Sequence, residues 1–315
     1  MLPKKILRIA SRKSPLAMWQ THAVKNQLQH LYPELHIEII GLITEGDRHL
    51  QTPLSQIGGK QLFVKELEQA ILSGDADFAV HSVKDLPATL PEGLTLAGVC
   101  QRADARDVLI ANHPAWQALD LLPNAATVGT SSSRRAGLLK ALYPDLITRT
   151  VRGNVETRLH KLDTGFTDAL LLAAAGIERL GLQDRIRAYL DPEIWTPAVG
   201  QGAIGIECRA EDAELLTLLS PLNHEATAVC IAAERSMNEA LGGGCQLPIA
   251  GYATLEDNIL RLRGLVIDPE TATLIRHQVS GEYFQAQDLG QSLAEMLLGR
   301  GAKTIIDKLL AFKKA

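Results

Sequence analysis

Aromatic side chains are scarce in this chain. Phe, Tyr and Trp together make up 4 % of 315 residues, and they do not interleave with the arginines. Single-stranded nucleic acid is bound by aromatic platforms under the bases and a basic groove along the backbone. The basic field is missing too, because the formal charge is −4. Both absences argue against a nucleic-acid partner. Cysteine is sparse as well: Cys100, Cys208, Cys230 and Cys245 are scattered, without a C-x-x-C pair. No His/Cys cluster has zinc spacing, so no metal is expected. A reduced, cytoplasmic setting is the simplest expectation. No apolar run approaches the roughly 20 residues of a membrane span. The opening MLPKKILRIASRKSPLAMWQ has no uninterrupted apolar stretch and no small-residue cleavage site. Neither a membrane partner nor a signal peptide is expected.

What is present is an ordinary globular composition. Hydrophobic residues make up 46 %, supplied mainly by Leu, Ile, Val and Ala. The length suits two or three domains. The first half alternates short apolar runs with helical periodicity. ILRIA (6–10) reads as a strand. Ser14-Pro15 then reads as an N-cap with proline at the first helical position of a helix reaching about Leu31. LHIEIIGLI (35–43) is a strand. Phe63, Leu67, Ala70 and Ile71 share one helical face, and ADFAV (76–80) is a buried strand.

A second block repeats the pattern. DVLIA (107–111), ATVG (126–129), ITRTV (147–151) and DALLLA (168–173) are strands, the last three each leading into a helix. This alternation predicts mainly parallel sheets with crossover helices. AIGIEC (203–208) is one more strand, read as returning to the first domain. The division is then 1–100 plus 200–220, 101–199, and 221–315. The last part has a long helix, three strand candidates and two helices, a small α+β domain.

Four strands end in loops rich in cationic or hydroxyl residues: Ser11-Arg12-Lys13-Ser14, His81-Ser82-Val83-Lys84-Asp85, Thr130-Ser131-Ser132-Ser133-Arg134-Arg135, and Arg152-Gly153-Asn154 with Arg158 beyond. Open α/β sheets bind ligands beyond the carboxyl ends of their strands. Helix N-termini there offer free N–H groups, and guanidinium groups add two-pronged carboxylate recognition. A polyanionic ligand is expected. A single arginine at a strand end is ordinarily a surface ion pair, and Thr130–Ser133 could serve only as an N-cap run. Recurrence in both blocks favours the site. His81 reads as a structural histidine. Asp85 is a carboxylate among cations; by spacing alone it is equally a salt-bridge partner or a group that moves protons and stabilises a developing cation. Cys245 sits in GGGCQLP (242–248), where a packing cysteine would gain nothing from three preceding glycines.

HSVKDLP (81–87), VGTSSSRR (128–135), VRGNVETRL (151–159), PAVGQGAIGIECR (197–209) and GGGCQLPI (242–249) together resemble the porphobilinogen deaminase (hydroxymethylbilane synthase) family. The resemblance runs in order from about Leu7 to Pro248. It implies three domains, the first two a two-lobed fold like the periplasmic binding proteins. It implies a transferase that condenses four porphobilinogen molecules, with loss of ammonia, on a covalent dipyrromethane cofactor carried by Cys245, then releases hydroxymethylbilane by hydrolysis. Asp85 matches the family's catalytic aspartate. Lys84, Ser132, Arg134 and Arg135 match cofactor-binding positions. Arg12, Ser14, Ser82, Thr130, Arg152, Arg158 and Arg179 match substrate-binding ones. A monomer acting on a small molecule is expected. Three positions depart from the family's common residues: Gln56 for lysine, Ser133 for leucine and Gly242 for glutamate. The first leaves Lys60 as the cation of the 56–60 loop. The rival reading is a non-enzymatic two-lobed anion-binding protein, which would need neither Asp85 nor Cys245.

Overall fold

The computed structural model describes residues 6–48, 63–244 and 247–311. Gln56, Lys60 and Cys245 lie outside the described residues. The first sheet begins with β1 (Ile6–Arg12), which runs into α1 (Pro15–Leu31). Ser14 caps α1 as its spacing predicts, its side chain accepting from the Ala17 amide, with proline at the first helical position. Then follow β2 (His36–Leu42), the short α2 (Glu45–Arg48), α3 (Lys65–Leu72), β3 (Phe78–Ser82) and β4 (Leu94–Val99). Phe63 precedes α3 rather than sharing its face. Its ring instead covers Gly46, where any Cβ would come within 2.2 Å of it.

The chain then crosses to a second sheet: β5 (Asp107–Ala111), β6 (Thr127–Gly129), α4 (Ser133–Leu142), β7 (Ile147–Arg149), α5 (Val155–Asp163), β8 (Ala169–Ala173), α6 (Ala174–Arg179) and β9 (Ile186–Tyr189). It returns as β10 (Ile204–Arg209), followed by α7 (Ala213–Leu219). The two five-stranded sheets have the orders β2-β1-β3-β10-β4 and β7-β6-β8-β5-β9. The last part has α8 (Glu225–Ala240), an antiparallel sheet of β11 (Ile249–Glu256), β12 (Ile259–Ile267) and β13 (Leu274–Glu282), then α9 (Ala286–Leu297) and α10 (Lys303–Ala311).

The period-two alternation of the strands explains why helices cover both faces of the two large sheets. In the first, Ile9, Phe78 and Val80 pack with Val24 and Leu28 of α1 and Leu215 of α7. Their neighbours Ala10 and Ala79 face Leu67 and Ile71 of α3 instead. In the second, Leu109 and Leu171 meet Leu138 and Leu139 of α4, while Val108 and Leu170 meet Leu159 and Leu162 of α5. Each of the buried Leu, Ile, Val and Phe side chains contributes about 1.5–3 kcal/mol, and the alanines less.

The expectation of mainly parallel sheets holds for four of the five strands in each large sheet, and one strand in each runs against the rest. β1, β2 and β3 are parallel, as are β6, β7 and β8. β10, however, is antiparallel to both β3 and β4, and β5 to both β8 and β9. The register shows why. β10 starts at Ile204 opposite Ser82, the carboxyl end of β3. β5 starts at Asp107 opposite Ala173, the carboxyl end of β8. Both strands arrive from the other lobe, so each enters at the edge where its parallel neighbours finish and must run against them.

Candidate active site

Each sheet gathers the carboxyl ends of its parallel strands at one edge, and both edges line a single cleft of about 490 Å³. From the first lobe come Arg12, Lys13, Ser14, Ser82, Lys84 and Asp85; from the second, Ser131, Arg135, Arg152, Gly153, Asn154 and Arg158. The helices that begin here are capped by Ser14, Ser132 and Asn154, whose side chains accept from the amides of Ala17, Arg135 and Thr157. Gly153 holds φ at 117°, and a side chain there would also run into Thr157. Among the described residues, six cationic side chains and two carboxylates, Asp47 and Asp85, line the cleft.

Burial, ahead of mutual repulsion, depresses several of these cations. Burial lowers Lys84 to about 8, with Asp85 pulling it back up and Arg135 pushing it further down. Burial and the charge of Arg135 lower Arg158 to about 10, while Asp85 acts in the opposite sense. Burial also lowers Arg152. An arriving carboxylate would relieve this strain, so the cleft is built for anions. Asp85 stands within the field of both Lys84 and Arg158, at the end of the short turn Val83–Asp85 after β3.

Arg134 and Arg135 are held differently. Asp107, fully buried, accepts from Arg134 Nη2 at 2.8 Å and from Arg135 Nη2 at 2.7 Å. It also accepts from Trp195 Nε1 at 2.8 Å and Gln201 Nε2 at 2.7 Å. Burial alone would raise Asp107, but Arg134 and Arg135 outweigh it and hold the carboxyl far below its ordinary range. Arg134 and Arg135 also donate to the carbonyls of Thr196 and Leu171, respectively, and Arg135 Nη2 reaches Gln201 Oε1 at 3.4 Å. Among the described residues, Arg134 Nε and Arg135 Nε are buried donors without a hydrogen-bond partner. Arg134 and Ser132 line a smaller cleft, about 80 Å³, with Lys84, Asn238 and Gly244. Arg135 lines the larger cleft instead.

The glycines before Cys245 do different work. Gly242 ends α8 at φ 66°, and a side chain on Gly243 would collide with Asn238. Among the described residues, nothing lies within 4 Å of a Cβ placed on Gly244.

Of the other residues singled out from the sequence, Thr130 is buried and accepts from the Ser132 amide at 3.2 Å. Arg179 donates to the Gly202 carbonyl at 2.7 Å and lies over the Trp19 ring, and it is not in the described lining of the cleft. His81 is buried 2.9 Å from Glu207, as a structural histidine should be. Sequence reasoning passed over Asp47, Asp107 and Gln201. Asp107 left a signal: an acid heading a strand that is otherwise wholly apolar. Asp47 left none, since its partner Arg12 is distant in sequence. Arg12 donates from Nε to Asp47 at 3.2 Å and also pairs with it through Nη2.

Residues 7–217 match the family model described as porphobilinogen deaminase, dipyromethane cofactor binding domain. Residues 228–299 match that of the porphobilinogen deaminase C-terminal domain. Among solved structures, the chain is similar to the periplasmic VFT2 domain of Bordetella pertussis BvgS, at 19 % identity over 69 % of this chain and 86 % of that one, TM-score 0.42. It is also similar to the periplasmic aliphatic sulphonate binding protein SsuA from Escherichia coli, at 20 % identity over 76 % and 70 %, TM-score 0.40.

Proposed function

The chain belongs to the porphobilinogen deaminase family, transferases of tetrapyrrole biosynthesis, and on that footing we propose that it condenses four porphobilinogen molecules head to tail, with loss of ammonia, and releases hydroxymethylbilane by hydrolysis. The dipyrromethane cofactor, held through Cys245, supplies the anchor and the acceptor ring. Lys84, Ser132, Arg134 and Arg135 are the residues suited to hold its carboxylates.

The observation that carries the reading is Asp85, a carboxylate among six cations in the cleft, whereas Asp47, the other described carboxylate there, is committed to Arg12. Porphobilinogen carries an acetate and a propionate, which the guanidinium groups of Arg12, Arg152 and Arg158 can receive. Loss of ammonia from its aminomethyl group leaves an azafulvene-like cation. Asp85 stabilises that cation and accepts or returns the pyrrole protons. Ser14 and Ser82 add hydroxyl donors at the same edge. A protein that only bound anions would account for the arginines, but a carboxylate among them would weaken its hold on the ligand.

The test is the reaction itself: porphobilinogen consumption, ammonia release and formation of a linear tetrapyrrole by purified protein. Binding of porphobilinogen with no ammonia released would reduce the protein to the anion-binding alternative.

A further inference from the structure

Arg12 is constrained on two sides within the cleft. Asp47 takes the side-on edge of its guanidinium, accepting from Nε at 3.2 Å and pairing with Nη2. The Phe63 ring lies under the guanidinium carbon, 4.4 Å from ring centre to Cζ. Asp47 is itself held: Thr44 Oγ1 donates to its Oδ2 at 2.8 Å, and the Thr44 amide reaches the same oxygen at 3.4 Å. Thr44 is completely buried, so this chain of contacts starts from fixed structure. A guanidinium has two edges that can grip a carboxylate. With Asp47 on the side-on edge, no described residue takes the end-on edge of Nη1 and Nη2, which would face a ligand in the cleft.

We propose that Asp47 is a positioning residue for substrate binding: it holds Arg12 in one rotamer, with the end-on guanidinium edge presented to a carboxylate of the substrate. The cleft makes such a device necessary. Arginine has a long, flexible side chain, and here it shares the cleft with Lys13, Lys84 and Arg158, which repel it. Without an anchor, Arg12 would lose rotamer entropy each time it bound, and that loss would come out of affinity. The proposal rests on the reading that the ligand carries carboxylates, and it names the part of the wall that reads one of them.

The test uses two probes on the cofactor-loaded protein: glutarate, a dicarboxylate that cannot react, by calorimetric titration, and porphobilinogen by steady-state kinetics. Asp47→Asn should weaken glutarate binding about three- to tenfold. It should raise KM for porphobilinogen by a larger factor than it lowers kcat. Removal of a negative charge from the cleft would by itself tighten anion binding, so a field effect runs the opposite way. Thr44→Val keeps the charge but loosens Asp47, and should weaken binding in the same direction. In an Arg12→Gln background, Asp47→Asn should no longer weaken binding, and only the opposite field effect should remain. Tighter glutarate binding by Asp47→Asn, unchanged binding, or a loss that persists without Arg12 would each overturn the proposal. Glutarate results as expected in a protein that does not turn over porphobilinogen would leave this inference standing and remove the proposed reaction.

Discussion

Asp107 and Arg134 form a fully buried ion pair, Nη2 to Oδ2 at 2.8 Å, at the point where the chain first enters the second lobe. Asp107 begins β5, and the same carboxylate holds Arg135 and Trp195. The hub therefore sets the angle at which α4 presents Arg135 to the cleft. Asp107→Asn would leave two guanidinium groups buried without their counter-charge. A loss of about 3–5 kcal/mol is expected in denaturant unfolding at neutral pH. A loss below about 1 kcal/mol would show that the arginines find other partners.

A second buried acid affects stability in the opposite sense. Burial, with a smaller contribution from Glu207, raises Glu68 from 4.5 to about 7. The native state thus keeps a proton that the unfolded chain gives up near 4.5. Stability attributable to Glu68 falls as pH rises from about 4.5 to 7, and the full penalty holds above that. Glu68→Gln should match the unaltered protein near pH 4 and exceed it by about 1–2 kcal/mol at pH 8. Unfolding midpoints across that range measure it. Parallel curves for the two proteins would contradict the assignment.

Asp85→Asn should abolish turnover while leaving the unfolding transition in place, because asparagine nearly matches the shape but holds no charge and moves no proton. Asp85→Glu keeps the carboxylate but displaces it by a methylene, and about a hundredfold loss is expected. Near-normal turnover by Asp85→Asn would make Asp85 merely a counter-ion to Lys84.

The cations should divide the growing chain between them. Arg12 and Arg152 stand on opposite walls, one from each lobe. Arg12→Lys and Arg152→Lys should stall with different numbers of rings attached, since lysine keeps the charge but loses the two-pronged geometry. Arg134→Lys should instead lose stability, because its partners are Asp107 and the Thr196 carbonyl. Native mass spectra after brief exposure to porphobilinogen would display the ladders. Identical ladders from the two cleft variants would mean a shared electrostatic field.

Much of this was legible in the sequence. Ser14-Pro15 marked the start of α1, and the apolar run at 107–111 coincides with β5. The strand-end loops that draw Arg12, Lys84, Asp85, Arg135, Arg152 and Arg158 to one cleft were legible for the same reason: strand ends and helix caps are local signals. Strand direction was not. A periodicity of two is the same read either way, so the reversal of β5 and β10 appears only when their partners are known. Long-range pairs were equally hidden. Nothing near Arg12 announces Asp47, and nothing near Glu68 announces Glu207.

The central claim is that the chain grows on a cofactor carried by the cysteine after Gly244. Intact-protein mass spectrometry with peptide mapping tests it most directly. The account predicts a mass above that of the polypeptide by one dipyrromethane, mapped to Cys245 and absent from a folded, inactive Cys245→Ala. Fully active protein whose Cys245 is unmodified would contradict it.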